Sequence, residues 1–130
     1  MKTKDIKQEV FFNVSPHEIY ETLMDSKKHA ESTCEDAKIS REVGGEFSTQ
    51  GDYASGKNLE LIPDKKIVQS WRASEWPEGH YSKVTYEFEK AKDGTKLTFT
   101  QTNVPEEFCD DIDQGWVDYY WEPMKKYFNK

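Results

Sequence analysis

The C-terminal stretch from Pro105 to Lys130 limits what this chain can fold into more than any other. Its large apolar residues fall at Phe108, Ile112, Trp116, Tyr119, Tyr120, Met124, Tyr127 and Phe128. Steps of three and four put them in one stripe along an α-helix. A helix starting near Asp110 would run roughly 28 Å at about 1.5 Å per residue, enough to cross a small domain. A stripe this rich in rings has to be covered. The rest of the chain offers mainly strands, so a curved sheet is the expected cover. Two residues interrupt the rod. Gly115 costs up to about 1 kcal/mol relative to alanine inside a helix. Pro123 removes the hydrogen bond to the Tyr119 carbonyl and predicts a kink. Pro105-Glu106-Glu107 reads as a helix start with acids at the positive end of the dipole. Residues 105–109 fit either a first helical turn or a separate loop.

Composition narrows the setting of that helix. At 130 residues the chain is one domain with a single core. Charged residues make up 33% and hydrophobic ones 35%, so the core must lean on the 14% that are aromatic. A formal net charge of −7 argues against nucleic acid and anionic membrane surfaces as partners, since both need a positive face. No apolar run approaches about 18 residues, and Lys2-Thr3-Lys4-Asp5 begins no signal-peptide core. Cys34 and Cys109 have no metal-ligand spacing. They read as free thiols in a reducing compartment, with a single bridge as the alternative.

Before the helix the periodicity changes twice. Ile6, Gln8, Val10 and Phe12 alternate with Lys7, Glu9 and Phe11 as a first strand. Ser15-Pro16 with Glu18 is a helix start, and Val14 and Ile19 are spaced as a hydrophobic staple. Ile19, Tyr20, Leu23 and Met24 give the buried side of a short helix. Asp25 or Ser26 caps a second, polar helix expected on the surface, with His29 solvated. Strands are then expected at Ile39 to Val43, from Phe47, at Tyr53 to Ile62 with Gly56 marking a bulge, at Ile67 to Arg72, at Tyr81 to Glu89, and beyond the Asp93-Gly94 hairpin turn through Leu97, Phe99 and Gln101. Short connections between successive strands predict an antiparallel sheet. The expected fold is therefore α+β. A curved antiparallel sheet of about six to seven strands wraps a long C-terminal helix, with two short helices after strand one. That order matches the helix-grip architecture, also called START- or Bet v 1-like.

A sharper resemblance rests on particular residues. They are Gly44-Gly45-Glu46-Phe47, Ser55-Gly56, Leu61 to Val68, Trp71-Arg72, Trp76-Pro77-Glu78-Gly79-His80, Gly94-Thr95-Lys96-Leu97, Pro105, Gln114-Gly115-Trp116 and Tyr119-Tyr120. From about Asp5 to Phe128 the chain resembles the C-terminal domain of the activator of the heat-shock protein 90 ATPase. The glycine pair and Trp71 recur across the wider superfamily, whereas the Trp76–His80 run with the Gly-Trp and Tyr-Tyr pairs is more specific. The resemblance implies a cytoplasmic cochaperone that binds heat-shock protein 90. In that family an N-terminal domain docks on the chaperone's middle segment and gives most of the stimulation, while the C-terminal domain favours the closed state. This sequence carries no such N-terminal domain. It is expected to be one domain of a longer protein or a short homologue, and weak by itself as an ATPase activator.

Each candidate site has an ordinary reading beside its functional one. Gly44-Gly45 fits a tight turn better than a ligand cradle. Trp71, Tyr86, Phe99, Trp116 and Tyr120 are core, or else line a cavity between sheet and helix. Trp76 either staples the sheet edge or anchors an interface with Pro77, Glu78 and His80. His80 beside Glu78 lacks the third group and the nucleophile that an acid–base site needs. Glu106, Glu107, Asp110, Asp111 and Asp113 are a solvated helix entry, or an electrostatic dock for a basic patch on a partner. Tyr119, Tyr120 and Trp121 cannot all face inward on a regular helix, so one of them, with Trp121 as a candidate, is expected in a contact surface. No catalytic, metal or cofactor set emerges. The leading reading is a non-catalytic binding module, and the alternative is a carrier of a small hydrophobic molecule.

Overall fold

The computed structural model describes residues 2–129. The strands are β1 (Thr3–Phe12), β2 (Lys38–Ile39), β3 (Glu46–Thr49), β4 (Ala54–Ile62), β5 (Lys66–Ala73), β6 (Ser82–Ala91) and β7 (Gly94–Pro105). The helices are α1 (Pro16–Met24), α2 (Ser26–Thr33), α3 (Glu106–Trp116) and α4 (Glu122–Phe128), with a π-helical turn at Val117–Trp121 joining the last two. The strands form one seven-stranded sheet in the order β1-β7-β6-β5-β4-β3-β2. Every pairing is antiparallel. The helical run from α3 to α4 lies against the sheet, so the helix-grip arrangement is present.

Local chemistry explains the regular parts. In β6 and β7, Val84, Tyr86, Phe88, Leu97, Phe99 and Gln101 are buried while their neighbours in sequence face outward. That is the alternation of a sheet with one face on the core. Ser15 caps α1 by accepting from the Glu18 amide at 3.2 Å, and Asp25 caps α2 by accepting from the Lys28 amide at 3.0 Å. Both junctions thus satisfy N–H groups that a helix start leaves open.

Several local expectations need correction. The strand expected at 39–43 is only Lys38–Ile39. Residues 40–45 instead fold into a loop held by buried Asn58, whose Nδ2 donates to the Ser40 carbonyl at 2.7 Å and the Glu42 carbonyl at 3.0 Å. A side chain that answers two backbone acceptors here competes with sheet pairing. The irregularity in β4 falls between Asn58 and Glu60, not at Gly56. Gly56 has another cause: a Cβ there would collide with the Ser70 carbonyl and press on the Phe47 ring. The C-terminal helix begins at Glu106 rather than near Asp110, because Pro105 still pairs with Thr3 in the sheet. Residues 106–109 are therefore its first turn. α2 is not a surface helix, since His29, Ser32 and Thr33 are buried.

The break near Pro123 is a π turn. Its effect on side-chain direction is larger than a bend alone. Hydrogen bonds one residue longer widen the turn: the Glu122 amide donates to the Val117 carbonyl. Positions four and five after Trp116 then straddle it, and both Tyr120 and Trp121 turn inward. Tyr119 is the member of the trio left outside, 62% exposed.

Candidate functional site

Trp116 ends α3 and stands over the middle of the sheet. Its indole Nε1 donates to Gln101 Oε1 at 2.8 Å. Gln101 Nε2 donates to Ser82 Oγ at 3.0 Å, and Ser82 Oγ to the Trp71 carbonyl at 2.8 Å. A buried polar chain thus ties the helix to β7, β6 and β5 in turn, with each donor matched to an acceptor. Rings close around it: Phe99 at 4.3 Å between centroids, Tyr120 at 4.6 Å, Trp71 at 5.7 Å and Tyr86 at 6.2 Å. The five residues read as core, or else as the lining of a cavity, meet as a packed and buried cluster. The recess left beside Tyr86 and Tyr120 measures about 10 Å³, room for one water at most. Gln69 and Gln101, the polar inward positions, are engaged in hydrogen bonds.

His29 belongs to this interior, contrary to the expectation from its polar helix. It is 4% exposed. Its Nδ1 lies 3.1 Å from the Leu23 carbonyl and its Nε2 3.0 Å from the Tyr120 hydroxyl. A carbonyl can only accept, so we assign the ring proton to Nδ1, with Nε2 accepting from Tyr120. Burial pushes the His29 pKa down to about 4, opposed in part by the bond to Leu23. Burial likewise pushes the Tyr120 phenol up to about 12.

The loop after β5 separates its residues into two roles. Trp76 is 3% exposed and packs edge-on against Trp71 at 5.4 Å and His80 at 5.8 Å. It is the staple of the sheet edge. As an exposed interface anchor it is corrected, because its ring is covered. Arg72 holds the loop by donating to the Trp76 and Pro77 carbonyls at 2.5 and 3.1 Å. His80 Nε2 is fixed 2.9 Å from the Asn103 carbonyl, and Pro77 and Glu78 are exposed. Trp121 is corrected in the same way: it is 2% exposed, and its Nε1 donates to Gln8 Oε1 at 2.5 Å.

The acidic run is exposed at Glu106, Glu107, Asp110, Asp111 and Asp113. Asp113 also fastens α3 to β1, because its Oδ1 and backbone carbonyl accept from Gln8 Nε2 at 2.7 and 2.8 Å. Asp111 faces elsewhere. With Ile112, Gly115, Asp118 and Tyr119 it forms one wall of an open groove of about 590 Å³. The opposite wall is Gln50 and Tyr53 from the β3–β4 turn, with Glu35 from the loop after α2 and the Trp71 and Trp116 rings below. Gln50, Gly51 and Asp52 are all left-handed, at φ 56°, 62° and 75°. For the two non-glycine residues this costs roughly 1 kcal/mol each. The turn leaves Gln50 Nε2 buried with no hydrogen-bond partner among the described residues, although the amide lies close enough to the Tyr120 hydroxyl to favour its ionised form. Burial pushes the Tyr53 phenol up to about 12; Glu75, which accepts its hydrogen bond at 3.2 Å, and Asp111 add to the shift. Trp71, Trp116 and Tyr120, read from the sequence as core or else as cavity lining, all border this groove, whereas Glu35, Gln50 and Tyr53 were missed because its walls come from three distant segments.

Among the described residues, no group of three or more His, Cys, Asp or Glu side chains is placed to hold a metal ion. No helix among them is long and apolar enough to cross a membrane. Cys34 is exposed and Cys109 buried, both as free thiols.

Comparison with known proteins adds an independent line. Residues 13–129 match the family model described as "Activator of Hsp90 ATPase homolog 1-like protein". An uncharacterized protein of Schizosaccharomyces pombe is 35% identical over 131 residues, covering 98% of this chain and 38% of its own length. Activator of 90 kDa heat shock protein ATPase homolog 1 of Homo sapiens is 32% identical over 117 residues, covering 90% of this chain and 35% of that protein. The chain therefore spans little more than a third of the length of these relatives. The crystal structure of PFC0360w, an HSP90 activator from Plasmodium falciparum, is similar with a TM-score of 0.83 at 26% identity, over 99% of this chain and 97% of that one.

Proposed function

This chain belongs to the Activator of Hsp90 ATPase homolog 1-like family, and on that premise we propose that it is a cytoplasmic cochaperone module that associates with heat-shock protein 90 and assists its ATPase cycle without being an enzyme. One observation carries the reading, the family match through residues 13–129; that a protein named as an HSP90 activator shares the fold over almost its whole length supports it. The packed interior supports it further. The polar groups around Trp116 are amides, hydroxyls, an indole and a neutral histidine, already bonded to one another. Recognition then falls to the outside, to the exposed acids Glu106, Glu107, Asp110 and Asp111 and the loop tip at Pro77 and Glu78.

The test is titration of the isotope-labelled chain with the purified chaperone, with and without a closed-state nucleotide analogue. Amide shifts along the exposed side of α3, stronger with the analogue, are expected. No shift anywhere at saturating chaperone would overturn the reading. In a separate turnover assay with ATP, the chain alone should stimulate the chaperone only weakly, because it spans about a third of the length of the curated relatives. The carrier reading is favoured by a single feature, the ring-walled groove of about 590 Å³, since the interior recess is too small for an organic ligand. Native mass spectrometry of the purified chain checks it, and a copurified hydrophobic molecule would favour the carrier.

A further inference from the structure

The groove between the β3–β4 turn and α3 combines aromatic walls with charge of one sign. Its walls are aromatic: Tyr53 on one side, Tyr119 on the other, and Trp71 and Trp116 at the base. Its charges have one sign: Glu35, Asp111 and Asp118 contribute carboxylates, and no lysine or arginine among the described residues lines it. Glu35 is brought in closely, its carboxylate 3.9 Å from where a Cβ on Gly51 would sit. Asp118 is oriented by the Gln114 amide at 3.0 Å. Tyr53 is held upright by Glu75 at 3.2 Å. Gly115 keeps the wall low, since the nearest heavy atoms to a Cβ there would be those of the Tyr119 ring, at 3.6 Å and beyond.

Ring faces carry negative potential and attract cations, and carboxylates around the rim add to it. A flat cation fits such a slot better than a compact one, because a guanidinium can lie on a ring and still direct paired N–H groups at carboxylates. We propose that this groove is the receptor for an arginine side chain presented by the protein partner, the guanidinium lying against Tyr53 and Tyr119 and pairing with Asp111 and Asp118. The proposal rests on the reading of the chain as a chaperone-binding module and names the chemistry at one point of that contact. Tyr119, the exposed aromatic of the π turn, then closes over the arginine as part of the contact surface.

The test uses the labelled full chain and three small probes: the amides of N-acetylarginine, N-acetyllysine and N-acetylcitrulline. The arginine probe should shift Gly115 and the Trp71 indole. The lysine probe should do so about threefold more weakly. The citrulline probe, similar in shape but uncharged, should leave them in place. The Asp111→Asn, Asp118→Asn double variant, whose amide spectrum checks that it folds, should lose about tenfold in affinity for the chaperone and for the arginine probe. The citrulline probe shifting these resonances as strongly as the arginine probe would overturn the proposal in favour of a neutral ligand. Chaperone binding unchanged in the double variant would overturn it while leaving the cochaperone reading intact. Arginine filling the groove of a chain that binds no chaperone would uphold the groove's chemistry and overturn the cochaperone reading instead.

Discussion

His29 is the residue whose environment departs furthest from what its neighbours in sequence foretell. It sits between Lys28 and Ala30 on a polar helix, yet its ring is covered and bonded to Tyr120, 91 residues away. Burial holds its folded pKa near 4, against an ordinary 6.5. The unfolded chain therefore takes up the proton first as pH falls. Stability attributable to His29 is complete above about pH 6.5 and drains away as pH drops towards 4, by roughly 3 kcal/mol in all. Urea unfolding at neutral pH and near pH 4.5, for the native chain and for His29→Gln, isolates this from the acidic residues common to both. The variant should lose less stability between the two conditions. Equal losses would mean that His29 is protonated within the fold. Trp76 and Trp121 make a related point. Trp121 turns inward onto Gln8, which is distant in sequence and which no local pattern reveals, whereas Trp76 is covered by its near neighbours in sequence, Trp71 and His80.

At the scale of elements, two glycines point in opposite directions. Gly56 lies where β4 crosses close to β5, and a methyl group there would meet the Ser70 backbone, which cannot move without breaking the pairing. Gly115 is helical, and a methyl there would touch only the Tyr119 ring at ordinary contact distance. Gly56→Ala should cost about 1–3 kcal/mol through overpacking, whereas Gly115→Ala should gain up to about 1 kcal/mol from helix propensity. Thermal unfolding of the two variants side by side checks both signs. A loss at Gly115 would mean that the helix needs a bare backbone for reasons of its own. Elements with a repeating pattern were legible beforehand: the alternation of β6 and β7, the capped start of α1, the aromatic stripe of the last helix. Elements set by one distant contact were not. The strand expected at 39–43 gave way to a loop because Asn58 claims its carbonyls. The π turn was foreshadowed by Pro123, but a proline alone does not tell a kink from a widened turn. That distinction moved Trp121 from the surface to the core and left Tyr119 in its place.

Seen whole, the molecule is electrically lopsided as well as negative. The C-terminal helical run starts with Glu106 and Glu107 and ends with Lys125 and Lys126, so its side-chain charges oppose the helix dipole and stabilise both ends. They also leave an acidic end next to the acidic groove, on a chain of net charge −7. On the proposed reading, a basic patch on the chaperone would be drawn to that end before any specific contact forms. Such steering acts on the encounter, and salt screens it over a Debye length of about 10 Å at 0.1 M. The association rate constant should therefore fall about tenfold between low and high salt. The dissociation rate should change far less, because rim charges act mainly on association. Stopped-flow mixing across a salt series separates the two rates. Neutralising Glu106, Glu107 and Asp110 together should flatten the salt dependence and leave Gly115 and Trp71 responsive to an arginine probe, since none of the three lines the groove. An association rate indifferent to salt would show that the acidic end serves the helix alone, and that docking uses another face.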